Sequence, residues 1–224
     1  KNFTKLTLIM IQQKKIFLKS EANRFYKRNI ERLGKINYKK HEIAIELQKY
    51  LKLKKNKINL LEIGCCDAGL INFISQKYNK IKCYGIDPSS LAIKSQKNIN
   101  LKLKIGTADK LLFEKDLFDI VIYNFCLYLC DDDDLIEIVS EADRVLKKNG
   151  TIFILDFYHK DTKYIKYIHQ KGIYSRKMDY SKLFTWHPNY QLKKIRKFKH
   201  ENKNMHYKDS NLNTTSLYVI KKIL

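Results

Sequence analysis

Between Ile58 and Phe157 the chain repeats one pattern: a short apolar run ends in an acid or a small polar residue, then gives way to helical spacing. The apolar runs are INLLEIG (58–64), IKCYGID (81–87), LKLKIGTA (101–108), FDIVIYNF (118–125) and TIFILDF (151–157). Between them LINFISQKY, SLAIKSQKN and DLIEIVSEADRVLKK place apolar residues three and four apart, and Asn149-Gly150 reads as a helix stop. Strands this apolar must be buried on both faces. Alternation with helices then predicts a mostly parallel sheet covered by helices on each side, an α/β fold. YQLKKIRKF (190–198) and TTSLYVIKKI (214–223) lack a strong helix between them and read as an antiparallel pair closing the sheet edge. Upstream, residues 11–53 are helical and amphipathic with a break near Gly34.

In open parallel sheets ligands bind beyond the carboxyl ends of the strands, where strand order reverses. The informative residues fall there. Strand one ends at Glu62 and Gly64, strand two at Asp87 and Pro88, strand three before Ala108 and Asp109, strand four at Asn124. Asp87 follows Gly64 by 23 residues, and a carboxylate there can accept both hydroxyls of a ribose diol. Asp109 can accept from the exocyclic amine of an adenine.

LLEIGCCDAG, YGIDPSSLAI, GTADKLLFEKDLFDIVIYNFCLYL and EADRVLKKNGTIFILDF, in this order and at these intervals, resemble the successive motifs of class I S-adenosylmethionine-dependent methyltransferases. The resemblance covers roughly residues 40–157. It implies a Rossmann-like, mostly parallel seven-stranded sheet with an antiparallel last strand, S-adenosylmethionine as cofactor, and methyl transfer as the reaction. Carried over residue by residue, Glu62, Gly64, Cys65 and Gly69 belong to the first motif. Asp87 and Pro88 stand at the ribose, Ala108 and Asp109 at the adenine, and Asn124, Phe125 and Cys126 beside the methionine moiety. The first motif departs from the family pattern of acid-x-Gly-x-Gly-x-Gly: Cys66 and Ala68 replace the second and third glycines, and Gly69 comes one place late. Cysteine and alanine are small, so the loop reads as a tolerated variant; a loop that no longer holds cofactor is the alternative.

Composition limits the partners. With 224 residues, 44% of them hydrophobic, the chain can build one sizeable core. We expect residues 1–36 to form a helical extension or cap and 37–224 the methyltransferase domain, with Met10 offering an alternative start. No apolar run is long enough to span a bilayer. The net charge of +22 permits nucleic-acid binding without favouring it, because only six of the 45 basic residues are arginine, the better reader of phosphates and bases. Five cysteines, an odd number set mostly in apolar runs, read as reduced thiols in a cytoplasmic protein, and their spacing fits no metal site. Oligomeric state is open.

The strand-four end, NFCL, lacks the Asn-Pro-Pro-aromatic signature of enzymes that methylate a base amine. The DDDD run (131–134) reads as the acidic start of a helix. The acceptor side should come from the N-terminal helix and from a lid at 158–190. Arg28, His159, Tyr180 and Trp186 are the candidate substrate residues, His159 the candidate base, and no catalytic residue is assigned. The reading is methyl transfer to a small molecule, with a sugar or nucleotide-linked sugar as a suggested acceptor. RNA methylation and an inactive methyltransferase-like binding protein are the alternatives.

Overall fold

The computed structural model describes residues 13–52, 56–200 and 210–224. Met10 and residues 1–9 lie outside them. An N-terminal helix, α1, runs through Gln13–Ile16, loosens to a π-helical turn at Phe17–Glu21 and continues over Ala22–Gly34. It is followed by α2 (Glu42–Lys52), β1 (Ile58–Ile63), α3 (Gly69–Lys77), β2 (Ile81–Asp87), α4 (Ser90–Ser95), β3 (Lys102–Ile105) and β4 (Phe118–Asn124). Then come α5 (Leu135–Val145), β5 (Leu146–Phe157), β6 (Lys163–Lys166), β7 (Tyr174–Lys177), α6 (Lys182–Thr185), β8 (Tyr190–Lys199) and β9 (Thr214–Lys222).

Seven strands form one sheet in the order β3-β2-β1-β4-β5-β9-β8. β1 to β5 pair in parallel, and β9 lies antiparallel between β5 and β8. The order reverses between β1 and β4, which places a ligand crevice over the ends of these two strands. Two apolar layers sandwich the sheet. Leu61, Ile63, Val121, Tyr123, Ile152 and Ile154 face α5, while Leu60, Ile120, Ile122, Phe153 and Leu155 face α2 and α3. Alternate residues thus serve opposite faces, as the pleat dictates.

Two local expectations shift. The third strand is short, because Gly106 to Asp109 turn away as a loop. The helix over 134–148 ends at Val145 instead: Leu146 already pairs with Phe118, and the ladder resumes only at Thr151. Asn149, with φ of 59°, supplies the left-handed residue of the intervening bulge, so Asn149-Gly150 marks a strand irregularity and not the helix stop.

The segment 158–190 contains the β6–β7 hairpin and the short α6. Buried Arg176 fastens the hairpin to the sheet end, donating to the carbonyls of Leu127 (2.8 Å) and Cys130 (3.1 Å) and pairing with Asp132. Among the described residues no helix is long and apolar enough to cross a membrane.

Candidate active site

The crevice contains a cavity of about 130 Å³. Its floor is Ile63, Gly64 and Cys66 after β1 and Ile86 to Pro88 after β2; its sides are Gly106 to Asp109 after β3 and Phe125, Cys126, Leu129 and Cys130 after β4. Its roof is α1, through Phe17, Leu18, Ala22 and Phe25, while Lys14, Asp131, Asp134 and Ile138 close one end.

Gly64 sits where β1 turns toward β4, with φ of +72°; a Cβ there would meet Cys126 Sγ at 2.7 Å. Only glycine suits both the torsion and the approach. The positions filled by Cys66 and Ala68 also have positive φ, 51° and 59°. The loop therefore keeps the left-handed backbone that glycine would adopt freely, at a steric cost borne by two small side chains. Burial pushes the thiols of Cys65 and Cys66 up, so both are neutral and unreactive at physiological pH.

Asp87 staples this loop to the next one. One carboxylate oxygen accepts the Cys66 amide at 2.8 Å and the other the Ser89 amide at 2.7 Å, while the side chain borders the cavity. Burial raises its pKa to about 6, opposed by these two amides. Below the floor, Glu62 is buried, raised by that burial to about 8, and takes a weak 3.4 Å bond from the Asn124 amide. Glu62 Oε2 and Asn124 Oδ1 are buried with no hydrogen-bond partner. Buried polar atoms without partners are uncommon and mark a place for a ligand group or water. At the far end, burial pushes the Asp109 carboxyl up, but the Lys14 ammonium, the Thr107 side chain and a backbone amide together outweigh it and hold the group below its ordinary value. Lys14 also pairs with Asp134 at 3.2 Å, and its amide donates to Asp131 at 2.8 Å.

Of the residues singled out in the sequence, Gly64, Asp87, Pro88, Ala108, Asp109, Phe125 and Cys126 border this cavity. Glu62 and Asn124 lie behind its floor, Cys65 packs against Gly85, and Gly69 lies under the Tyr38 hydroxyl. The four candidate substrate residues are not brought together. Arg28 pairs with Glu21 on α1 and donates to Tyr167 at 2.9 Å. Buried His159 directs Nδ1 at the backbone of Asp161, 2.7 Å from its carbonyl oxygen. Tyr180 is fully buried and donates to the Arg176 carbonyl at 2.8 Å. Trp186, 72% exposed, borders a separate surface groove with Ile136, Leu183 and Leu224. The N-terminal helix was expected as a cap on the acceptor side, but the residues that meet the cavity were not singled out, although their periodicity is visible: Leu18, Ala22 and Phe25 stand at i, i+4 and i+7.

The reversal point of a β3-β2-β1-β4-β5-β9-β8 sheet, an acid at the end of β2 and a glycine turn after β1 together define a class I methyltransferase fold. Residues 61–154 match the family model described as a methyltransferase domain. That stretch is a methyltransferase domain, and the sheet around it has the fold of class I S-adenosylmethionine-dependent methyltransferases. Over 101 residues the chain is 34% identical to the ribosomal RNA small subunit methyltransferase A of Mesomycoplasma hyopneumoniae; the match covers 44% of this chain but only 38% of that protein. Among solved structures, the Burkholderia thailandensis 1,6-didemethyltoxoflavin-N1-methyltransferase, with bound 1,6-didemethyltoxoflavin and S-adenosylhomocysteine, is similar at a TM-score of 0.62 or better, namely 0.68. It is 13% identical, covering 94% of this chain and 89% of that one. A Methanosarcina mazei S-adenosylmethionine-dependent methyltransferase gives 0.62 at 16% identity, covering 79% of this chain and 97% of that one.

The residues present fit the family cofactor. With the cofactor bound, Asp87 at the cavity edge would accept from the ribose and Asp109 from the adenine amine, and the unpartnered Glu62 and Asn124 oxygens stand beneath the turn at Gly64.

Proposed function

We propose that this protein transfers a methyl group from S-adenosylmethionine to a small molecule held between α1 and the end of β4. The observation that supports this reading is the roof: Phe17, Leu18, Ala22 and Phe25 of α1 line the crevice and narrow it to a scale that suits a small molecule. S-adenosylmethionine supplies an electrophilic methyl carbon on sulfur when bound. The chain's own contribution is positioning. The Asp87 staple fixes the two loops that would flank the ribose, and the apolar roof excludes water. Phe125, held at φ of 50° with its amide on the Leu155 carbonyl at 2.8 Å, presents a fixed wall to the acceptor. Holding two reactants in line can supply much of the acceleration without a base. The hydrogen bonds made by His159 suit a structural corner, so no base is assigned.

The walls bound the acceptor. Rings of Phe17, Phe25 and Phe125 favour a molecule with an apolar or planar face, which a nucleotide-linked sugar offers through its base more readily than a bare sugar does. The five free cysteines support a reducing, cytoplasmic setting. RNA methylation is the second reading, favoured by the net charge and by the likeness to a ribosomal RNA methyltransferase. Labelled cofactor incubated with a metabolite extract, a sugar-nucleotide panel and total RNA separates the two. Label should enter the small-molecule fraction. Label in one RNA species, with binding that survives physiological salt, would overturn the small-molecule reading.

A further inference from the structure

α1 crosses the carboxyl end of the sheet and is fastened mainly by polar contacts. At its start Gln13 donates to the Leu129 carbonyl (2.7 Å) and accepts the Tyr174 amide (2.7 Å). In mid-helix the Asn23 side-chain oxygen takes the Ser89 hydroxyl (2.9 Å) and the Leu91 amide (3.1 Å), next to Asp87. Arg24 reaches Gln170 and Arg28 reaches Tyr167, both on the segment joining β6 and β7. In its Ala22–Gly34 stretch only Ala22 and Tyr26 are buried. Such contacts exchange readily with water, unlike a packed apolar face. The π-helical turn at Phe17–Glu21 lies between the first fastening and the second, and turns of this kind recur at functional sites.

The first turn does more than rest on the loops. The Lys14 ammonium pairs with Asp109 and Asp134, and its amide with Asp131, so one residue engages three carboxylates at the end of the cavity. Asp131 is 5% exposed and its second oxygen has no partner. Asp109 is also the acceptor assigned to the adenine amine, so Lys14 and that amine address the same carboxylate. The cavity beneath, about 130 Å³, is well below the roughly 300–1,000 Å³ of ordinary small-molecule sites. The first turn of α1 borders this cavity, so its movement would enlarge the space for a nucleoside-sized ligand.

We propose that α1 is a latched lid over the cofactor site and that Lys14 is the latch: the cofactor is admitted when Lys14 releases Asp109 and Asp134. The proposal rests on the cavity being the S-adenosylmethionine site. It makes Lys14 a gating residue that opposes ligand access, where a residue that merely completes the pocket would assist it.

Lys14→Met keeps the apolar stem and removes the charge; Lys14→Arg keeps the charge. Stopped-flow binding of S-adenosylhomocysteine should show association at least tenfold faster in Lys14→Met than in the wild type, with Lys14→Arg close to wild type. Added salt should accelerate association in the wild type and leave Lys14→Met nearly unchanged, because screening weakens the ion pairs. An association rate in Lys14→Met equal to or below that of the wild type overturns the latch. Amide exchange of residues 13–34 in the free protein gives an independent readout. Faster exchange in Lys14→Met supports the latch, and unchanged exchange counts against it. If the wild type fails to bind S-adenosylhomocysteine while exchange still responds to Lys14, the cofactor assignment has failed and the ionic fastening has not.

Discussion

Replacing Asp87 should weaken cofactor binding through two separable effects. The carboxylate accepts two buried backbone amides, Cys66 at 2.8 Å and Ser89 at 2.7 Å, and faces the cavity with its remaining lone pairs. Hydrogen bonds to a charged group contribute about 1.5–3 kcal/mol each. Asp87→Ala leaves both amides unpaired, although water entering from the cavity can serve one of them, so a stability loss of about 2–4 kcal/mol is expected. Loss of the ribose contact should cost a further 1.5–3 kcal/mol or so in affinity, roughly a ten- to hundredfold rise in Kd. Asp87→Asn is the informative companion. Its amide keeps one acceptor for two donors and points its NH₂ at the other, so it should recover only part of either loss. Calorimetric titration with S-adenosylhomocysteine at pH 7.5, beside thermal melts of the three proteins, measures both. If both variants bind within twofold of the wild type, Asp87 does not hold the ligand and the site assignment is wrong.

The pH dependence has two opposite components. Because burial raises Asp87 to about 6, its ionised, ribose-accepting form is lost below that pH, and affinity for S-adenosylhomocysteine should climb between pH 5 and 7. Burial likewise raises Glu62 to about 8 and Asp156 to about 7; acids with raised folded-state values stabilise the fold at low pH and lose that contribution as pH rises through those values. Thermal stability should therefore decline from pH 6 to 8.5, less so in Glu62→Gln. Cys66→Gly relieves a left-handed residue at the cost of added chain entropy and should stabilise by about 0.5–1 kcal/mol in denaturant, with cofactor affinity equal or better; a large loss of affinity would mean that the thiol itself contacts ligand. Arg176→Ala removes the cation that caps two loop carbonyls and pairs with a one-third-exposed Asp132, and should cost about 3 kcal/mol by thermal or chemical unfolding. A loss below 1 kcal/mol would show that the hairpin is held by other contacts.

The sheet was legible in the sequence because its strands are apolar on both faces and each ends in a small or acidic residue. Those ends also mark the floor and one side of the cavity: Gly64, Asp87, Pro88, Ala108 and Asp109 are local to strand termini that the pattern marks. The acidic run was only half understood. Asp131, Asp132 and Asp134 do precede a helix, yet their partners are distant in sequence: Lys14 is 117 residues from Asp131 and 120 from Asp134, and Arg176 is 44 residues from Asp132. Such pairings depend on where α1 and the hairpin pack, and no local periodicity records that. Trp186 looked like a substrate ring because aromatic and basic residues cluster near it; the short α6 instead turns it into the outer groove. Cys66 and Ala68 read as a tolerated departure from a glycine pattern, and the left-handed backbone they adopt is the one that pattern serves.

A co-crystal structure with S-adenosylhomocysteine tests the central claim most directly. The ribose should lie on Asp87, the adenine against Ala108 and Asp109, and the amino acid moiety over Gly64 and Phe125, with α1 lifted at Lys14 and still crossing above. Ligand bound elsewhere on the molecule, or none at saturating concentration in a folded crystal, would contradict the account.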